Sequence, residues 1–189
     1  MPTLTVVVAS TRPGRVGPTI ADWLVDAARA HDGFDVRVAD LAELALPLLD
    51  EPEHPSDRDY RHPHTRQWSA LVAESDAFVL VMPEYNYGFT APLKNALDYL
   101  YHEWAHKPVG FVSYGMTSAG LRAVEMIKPV VTALRLVPVG SAVCVPLRER
   151  LAQGGVLAPS PVMTAAATSM LDELLAMSAA LAPLRALSR

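Results

Sequence analysis

The sequence predicts a three-layer α/β fold: a doubly wound parallel sheet of five strands with helices on both faces. Two observations carry this expectation. Five short apolar runs recur along the chain, at residues 4–9 (LTVVVA), 34–39 (FDVRVA), 77–82 (AFVLVM), 109–114 (VGFVSY) and 136–145. Between them lie segments of helical periodicity, the alternation that a parallel sheet packed between helix layers requires. The second run, with Asp35 and Arg37 alternating among apolar residues, is expected at an edge. Ile20, Trp23, Leu24 and Ala27 recur at i, i+3, i+4 and i+7, as do Leu93, Ala96, Leu97 and Leu100, so each stripe marks a helix lying on the sheet. Further helices are expected over about residues 64–74 and 118–133. A last helix begins at about residue 161, where Ser160 can cap it and Pro161 suits the first turn. Pro183 should end or kink it. Met163, Met170 and Met177, with Leu174 and Leu181, form a seam on this helix that is expected to pack into the core. Residues 50–64 (DEPEHPSDRDYRHPH) lack periodicity and are expected to form an exposed loop, of a length that often carries function.

Composition narrows the function classes. With 51% hydrophobic and 19% charged residues, the 189-residue chain is globular, and a chain of this mass can bury about 70% of its surface in one domain spanning residues 1–189. Sixteen basic residues against twenty acidic ones leave a net charge of −4, with no basic segment, so a nucleic-acid groove is not expected. One cysteine, Cys144, permits neither an internal disulfide nor a multi-cysteine metal site and fits a reducing, cytoplasmic setting. Cys144 lies in the apolar run VGSAVCV and is expected in the core. No basic residue precedes the first apolar run, and no stretch is expected to span a bilayer, so no membrane partner is expected.

Five such strands permit the order 2-1-3-4-5, in which ligands bind beyond the carboxyl ends of the strands where the order reverses. Three loops come into view there. The first, residues 10–19 (STRPGRVGPT), offers Ser10 and Thr11 hydroxyls, the guanidinium groups of Arg12 and Arg15, and the first-turn amides of the next helix to an anion. It carries neither GxxxxGK[ST] nor GxGxxG, so neither nucleotide triphosphate hydrolysis nor an NAD-type Rossmann site is expected. Taken alone, the same residues also suit a solvated turn. The second loop, residues 83–98 (PEYNYGFTAPLKNALD), sets three aromatics beside Asn86 and Gly88 and fits a planar heteroaromatic ligand, or else an apolar contact surface. Thr90 can cap the following helix and Pro92 sits in its first turn. The third loop is residues 113–120 (SYGMTSAG).

Ser10-x-Arg12 after the first strand, with PEYNYGFTAPLKNALDYL at residues 83–100, resembles the NADPH-dependent FMN reductase family, whose members have the flavodoxin-like fold. The likeness covers residues 4–145 and includes Asp40-Leu41 and the LPLLD run at residues 46–50. The resemblance implies that Ser10, Arg12, Arg15, Val16 and Gly17 hold the FMN phosphate. It implies that Pro83, Glu84, Tyr85, Asn86 and Tyr87 lie against the isoalloxazine ring, with Ser113 and Gly115 at its other edge. Arg15 stands where many members have serine, and Met116 and Ala119 stand at glycine positions. The implied chemistry is hydride transfer from NADPH or NADH to FMN and on to a small-molecule acceptor such as free flavin, a quinone, an azo or nitro compound or a metal ion. The hard step belongs to the cofactor, so no catalytic side chain is expected. Members are generally dimers or tetramers, which implies a homodimer or homotetramer.

Other constellations have less support. His54, His62 and His64 with Asp57 and Asp59 lack ligand spacing, and His102 and His106, with Lys107, suit the end of a helix, so no metal site is expected. Ser118 in GMTSAG lacks the GxSxG elbow of hydrolases. Two rival readings remain: an FMN-holding electron carrier that never meets nicotinamide, and a flavin-free protein-binding module.

Overall fold

The computed structural model describes residues 1–152 and 154–187. In chain order the elements are β1 (Thr3–Val8), α1 (Gly17–His31), β2 (Asp35–Asp40), α2 (Leu41–Leu44), α3 (Pro63–Glu74), β3 (Ala77–Pro83), α4 (Ala91–Asp98), β4 (Pro108–Gly115), α5 (Leu121–Ala133), β5 (Val137–Pro146), α6 (Leu147–Arg150) and α7 (Pro161–Leu187), with 3-10 turns at Pro55–Asp57 and His102–Trp104. The strands form one parallel sheet in the order β2-β1-β3-β4-β5. This is the flavodoxin-like order.

Strand alternation feeds two cores. Leu4, Val6 and Val8 of β1 face α1 and α7, while Val7 and Ala9 face the layer of α3, α4 and α5. Because both faces are covered, β3 and β4 are buried along their whole length, which is why they read as unbroken apolar runs. Edge strand β2 keeps Asp35, Arg37 and Val38 exposed.

Several expectations need correction. Helix α5 starts at Leu121, three residues later than expected, because Ala119 and Gly120 both take positive φ (51° and 90°) and cannot continue a right-handed helix. Asp40 caps an unforeseen short helix, α2, by accepting from the Ala42 amide at 2.9 Å. Helix α7 runs through Pro183 to Leu187. The carbonyl of Ala179, which loses its N–H partner, is on an exposed residue that water can reach. By length and composition α7 could cross a bilayer, contrary to expectation, yet it lays Met163, Ala167, Met170, Leu171 and Leu174 on the sheet as core. Cys144 is half-buried, with the Ser113 hydroxyl 3.5 Å from its sulfur. Lys107 does not end α4. Its buried ammonium donates to the last-turn carbonyls of α3, Val72 O at 2.6 Å and Ala73 O at 3.2 Å.

Two long-range ties shape the periphery. The long segment after α2 is strapped down by Tyr99, which donates to Asp50 at 2.9 Å, and by Tyr60, which donates to Glu103 at 2.8 Å. In β5, three residues (Val139, Gly140, Ser141) face the single Gly110 of β4. The Glu173 carboxylate of α7 accepts the Gly140 and Ser141 amides at this irregularity, at 2.7 and 3.3 Å.

Candidate active site

The loops after β1, β3 and β4 meet at the carboxyl end of the sheet. Ser10 is buried at the end of β1, and across from it Tyr114 is buried near the end of β4. Neither hydroxyl has a hydrogen-bond partner among the described residues. Both press on Gly17, the first residue of α1: a Cβ there would overlap Ser10 Oγ and come within 2.9 Å of Tyr114 OH and 3.3 Å of Val8 Cγ1. Burial pushes the Tyr114 phenol up to about 12, opposed by the nearby Arg15 and Arg12 charges, so it is an O–H donor at neutral pH. No side chain caps α1 among the described residues, so the first-turn amides of Gly17 and Thr19 have no side-chain acceptor at the helix start, and Pro18 has no N–H.

The two arginines of this loop separate. Arg12 is exposed, and its guanidinium makes no hydrogen bond or ion pair among the described residues. Arg15 turns to Asp40 and grips it with both Nη1 (2.5 Å) and Nη2 (2.6 Å), while Nη1 also donates to the Ser10 carbonyl at 2.7 Å. It thereby fastens the loop to the end of β2. Val16 is half-buried against the α1 and α7 core.

Pro83 ends β3, and the chain then makes a two-residue hairpin in which Tyr85 and Gly88 exchange amide bonds, both at 2.9 Å. Asn86 (φ 49°) and Tyr87 (φ 74°) form its turn. A turn of this kind demands positive φ at both central residues, which asparagine tolerates and tyrosine resists at about 1–2 kcal/mol. Tyr85 and Tyr87 are both exposed. Thr90 caps α4 through the Leu93 amide and donates to Ala9 O at 2.9 Å, which anchors the second loop to the first.

Ser113 is buried and donates to Ala119 O at 3.3 Å, and Gly115 packs against Gly120. Met116 projects into solvent. Ala119 takes a left-handed conformation, φ 51°, at a position where the resemblance implied glycine, and the turn forms with alanine there. Glu84 joins this loop to the second: it accepts from the Ser118 hydroxyl, from the Arg122 amide at 3.1 Å and from Arg122 Nε at 2.6 Å. The Arg122 guanidinium also lies 3.8 Å from the centroid of the Tyr87 ring.

Burial raises the Glu84 pKa, but the Ser118 and Arg122 hydrogen bonds and the Arg122 charge outweigh it and hold the carboxyl below its ordinary value. A depressed folded pKa contributes stability that is present above the unfolded value, roughly pH 4.3, and is lost as pH falls through the folded one. Glu84→Gln is therefore expected to lower the apoprotein Tm at pH 7, and the gap to wild type should close in melts below about pH 4. A gap independent of pH would show that the carboxylate charge is not what stabilises the junction.

All twelve residues expected at the site lie on these three loops or at their ends. Arg122, Ser118 and Tyr114 were not anticipated. Tyr114 carried a signal, a phenol at the end of an inner strand, whereas nothing in the spacing links Arg122 to Glu84, 38 residues earlier. A cleft of about 370 Å³ opens beside the first loop between Thr11, Leu46 and Pro92. A larger cavity of about 520 Å³, lined by Tyr60, Glu103 and Lys107 among others, lies at the opposite, amino end of the strands, away from the loops. Ligands of doubly wound sheets sit at the carboxyl ends, so the three-loop junction is the candidate.

Residues 2–149 match the NADPH-dependent FMN reductase family. The chain belongs to that family. It is therefore an FMN-dependent NAD(P)H oxidoreductase. It is 40% identical over 157 residues to an NAD(P)H-dependent FMN reductase of Schizosaccharomyces pombe, covering 81% of this chain and 78% of that protein. It is 34% identical over 154 residues to an NAD(P)H-dependent FMN reductase of Saccharomyces cerevisiae, covering 75% and 80%. In fold it is similar to the flavoenzyme NAD(P)H:(acceptor) oxidoreductase FerB of Paracoccus denitrificans, with a TM-score of 0.75 at 18% identity over 95% of this chain and 98% of that one.

Proposed function

We propose that this oxidoreductase holds the FMN phosphate over the first loop and lays the flavin ring against the second and third. The observation that carries this reading is the pair of buried hydroxyls of Ser10 and Tyr114, neither with a partner among the described residues, beneath a loop whose Arg12 makes no hydrogen bond or ion pair among them. A buried hydroxyl without a partner costs about 1–3 kcal/mol, and two of them side by side fit a ligand rich in acceptor oxygens. Arg12 supplies the cation, Val16 and Gly17 the close backbone, and Arg15 braces the loop through Asp40. Pro83, Glu84, Tyr85, Asn86 and Tyr87 form the platform for the ring, with Ser113 and Gly115 shaping its other edge.

FMN, when bound, supplies the redox chemistry, taking a hydride from NADPH or NADH and passing electrons to an acceptor. The chain's own groups bind and orient. An uncapped helix amino terminus favours negative charge without a protein acid or base. The second and third loops leave an exposed, aromatic approach for small-molecule acceptors. Quinones and azo compounds are the preferred classes, supported by the names of two further relatives: an FMN-dependent NADPH-azoreductase of Staphylococcus saprophyticus, 31% identical over 108 residues, and a probable NADPH:quinone oxidoreductase of Oryza sativa, 35% identical over 91. Exposed Tyr87, Met116 and Leu121, on the second and third loops and at the start of α5, support a homodimer or homotetramer. One flavin domain spanning residues 1–189 and a cytoplasmic setting complete the reading.

Titration of the apoprotein with FMN tests the site. Arg12→Ala should weaken binding by about 1.5 to 3 kcal/mol, ten- to a hundredfold, if the guanidinium makes a charge-assisted bond. Tyr114→Phe should also weaken it while leaving the apoprotein Tm unchanged or raised, because an orphaned hydroxyl is removed. Unchanged affinity in both variants would take the phosphate away from the first loop.

A further inference from the structure

The hairpin that would carry the flavin ring stands in a conformation its sequence resists. Tyr87 sits at φ 74° in the second turn position, where glycine is at home. The Tyr85–Gly88 bonds close the turn but place no constraint on the Tyr87 side chain. That constraint comes from Arg122, whose guanidinium covers the ring at 3.8 Å. Arg122 is itself fixed from behind: Nε and the backbone amide both donate to Glu84, whose side chain is only 6% exposed and whose remaining donor is Ser118. One edge of the guanidinium reads a carboxylate at the root of the hairpin, and its face covers the tyrosine at the tip.

We propose that Arg122 is a positioning residue: it clamps the Asn86–Tyr87 turn in its left-handed form and so preforms the surface against which the flavin ring lies. The inference rests on the placement of the ring at residues 83–87 proposed above. Preformation matters because any ordering of the hairpin left until binding would subtract from cofactor affinity. The role belongs to arginine specifically, since lysine has neither the flat face for the ring nor the Nε–H for Glu84.

A double-mutant cycle between Arg122→Met and Tyr87→Gly tests the clamp through two readouts. The first is deuterium uptake of the peptide spanning residues 84–90 in the apoprotein, and the second is FMN dissociation constants from fluorescence titration. In the wild-type background Arg122→Met should speed uptake and raise the FMN Kd about tenfold. In the Tyr87→Gly background, where glycine takes positive φ unaided and only the loss of the Glu84 contact remains, both effects should be several-fold smaller. Arg122→Lys should fail to rescue, and it replaces Arg122→Met in the cycle should the methionine variant not fold. Equal effects in both backgrounds, or none, overturn the proposal, as does faster uptake with unchanged FMN affinity. Clamped uptake in a wild-type protein that takes up no FMN overturns the placement of the ring and leaves Arg122 with no cofactor to position for.

Discussion

Gly17→Ala is expected to weaken FMN binding at least about a hundredfold, close to 3 kcal/mol, the largest effect of any single methyl group in the site. Helix propensity argues the other way. Gly17 opens α1 with ordinary right-handed backbone, where alanine is about 1 kcal/mol better than glycine. Sterics decide the sign. The new methyl would overlap the Ser10 hydroxyl and crowd Tyr114 OH and Val8 Cγ1, and Tyr114 is too deeply buried to swing aside. Overpacking of this kind costs roughly 1–3 kcal/mol in the fold. The hydroxyls displaced are also those proposed to meet the phosphate. Titration should show the loss of affinity and a melt only a modest fall in Tm; an apoprotein of unchanged Tm that binds FMN normally would show that nothing needs the close approach.

Trp104→Ala is expected to destabilise the protein by about 3–5 kcal/mol, a fall in Tm on the order of 10 °C for a chain of this size. Trp104 is fully buried between α4 and the sheet, meets Trp68 edge-on at 5.8 Å and Phe78 at 5.1 Å, and donates its indole N–H to Leu97 O at 3.1 Å. Truncation would leave a cavity, two aromatic edges without a face and a carbonyl without its donor. Because the cluster packs against α4, whose first turn follows the second loop, FMN affinity is expected to fall with stability. A loss under 1 kcal/mol by denaturant unfolding would show that the site collapses and refills.

The sheet was legible because its signal is local. Residues 77–82 and 109–114 read as strands buried on both sides; the observed β3 extends the first by one residue at its carboxyl end, and β4 extends the second by one residue at each end. The cap at Thr90 and the start of α7 at Ser160-Pro161 were legible for the same reason: each is decided within four residues. What stayed hidden is decided across the sheet. Arg15 was expected to face an anion, but strand pairing brings Asp40 beside it from 25 residues away, and a bidentate carboxylate outcompetes solvent for the guanidinium. Arg122 was invisible on similar grounds. Lys107 was assigned to the nearest helix end in the chain and serves another that folding brings closer.

The irregular stretch of β5 bears on behaviour in a crowded solution. An open sheet has two rims whose spare backbone groups can zip onto a neighbouring molecule and seed fibres. Here one rim, β2, displays the opposite charges of Asp35 and Arg37, and on the other the Glu173 carboxylate already occupies two consecutive amides of the outermost strand. Neither border presents a clean template, so both rims resist strand-on-strand addition without the sheet closing into a barrel.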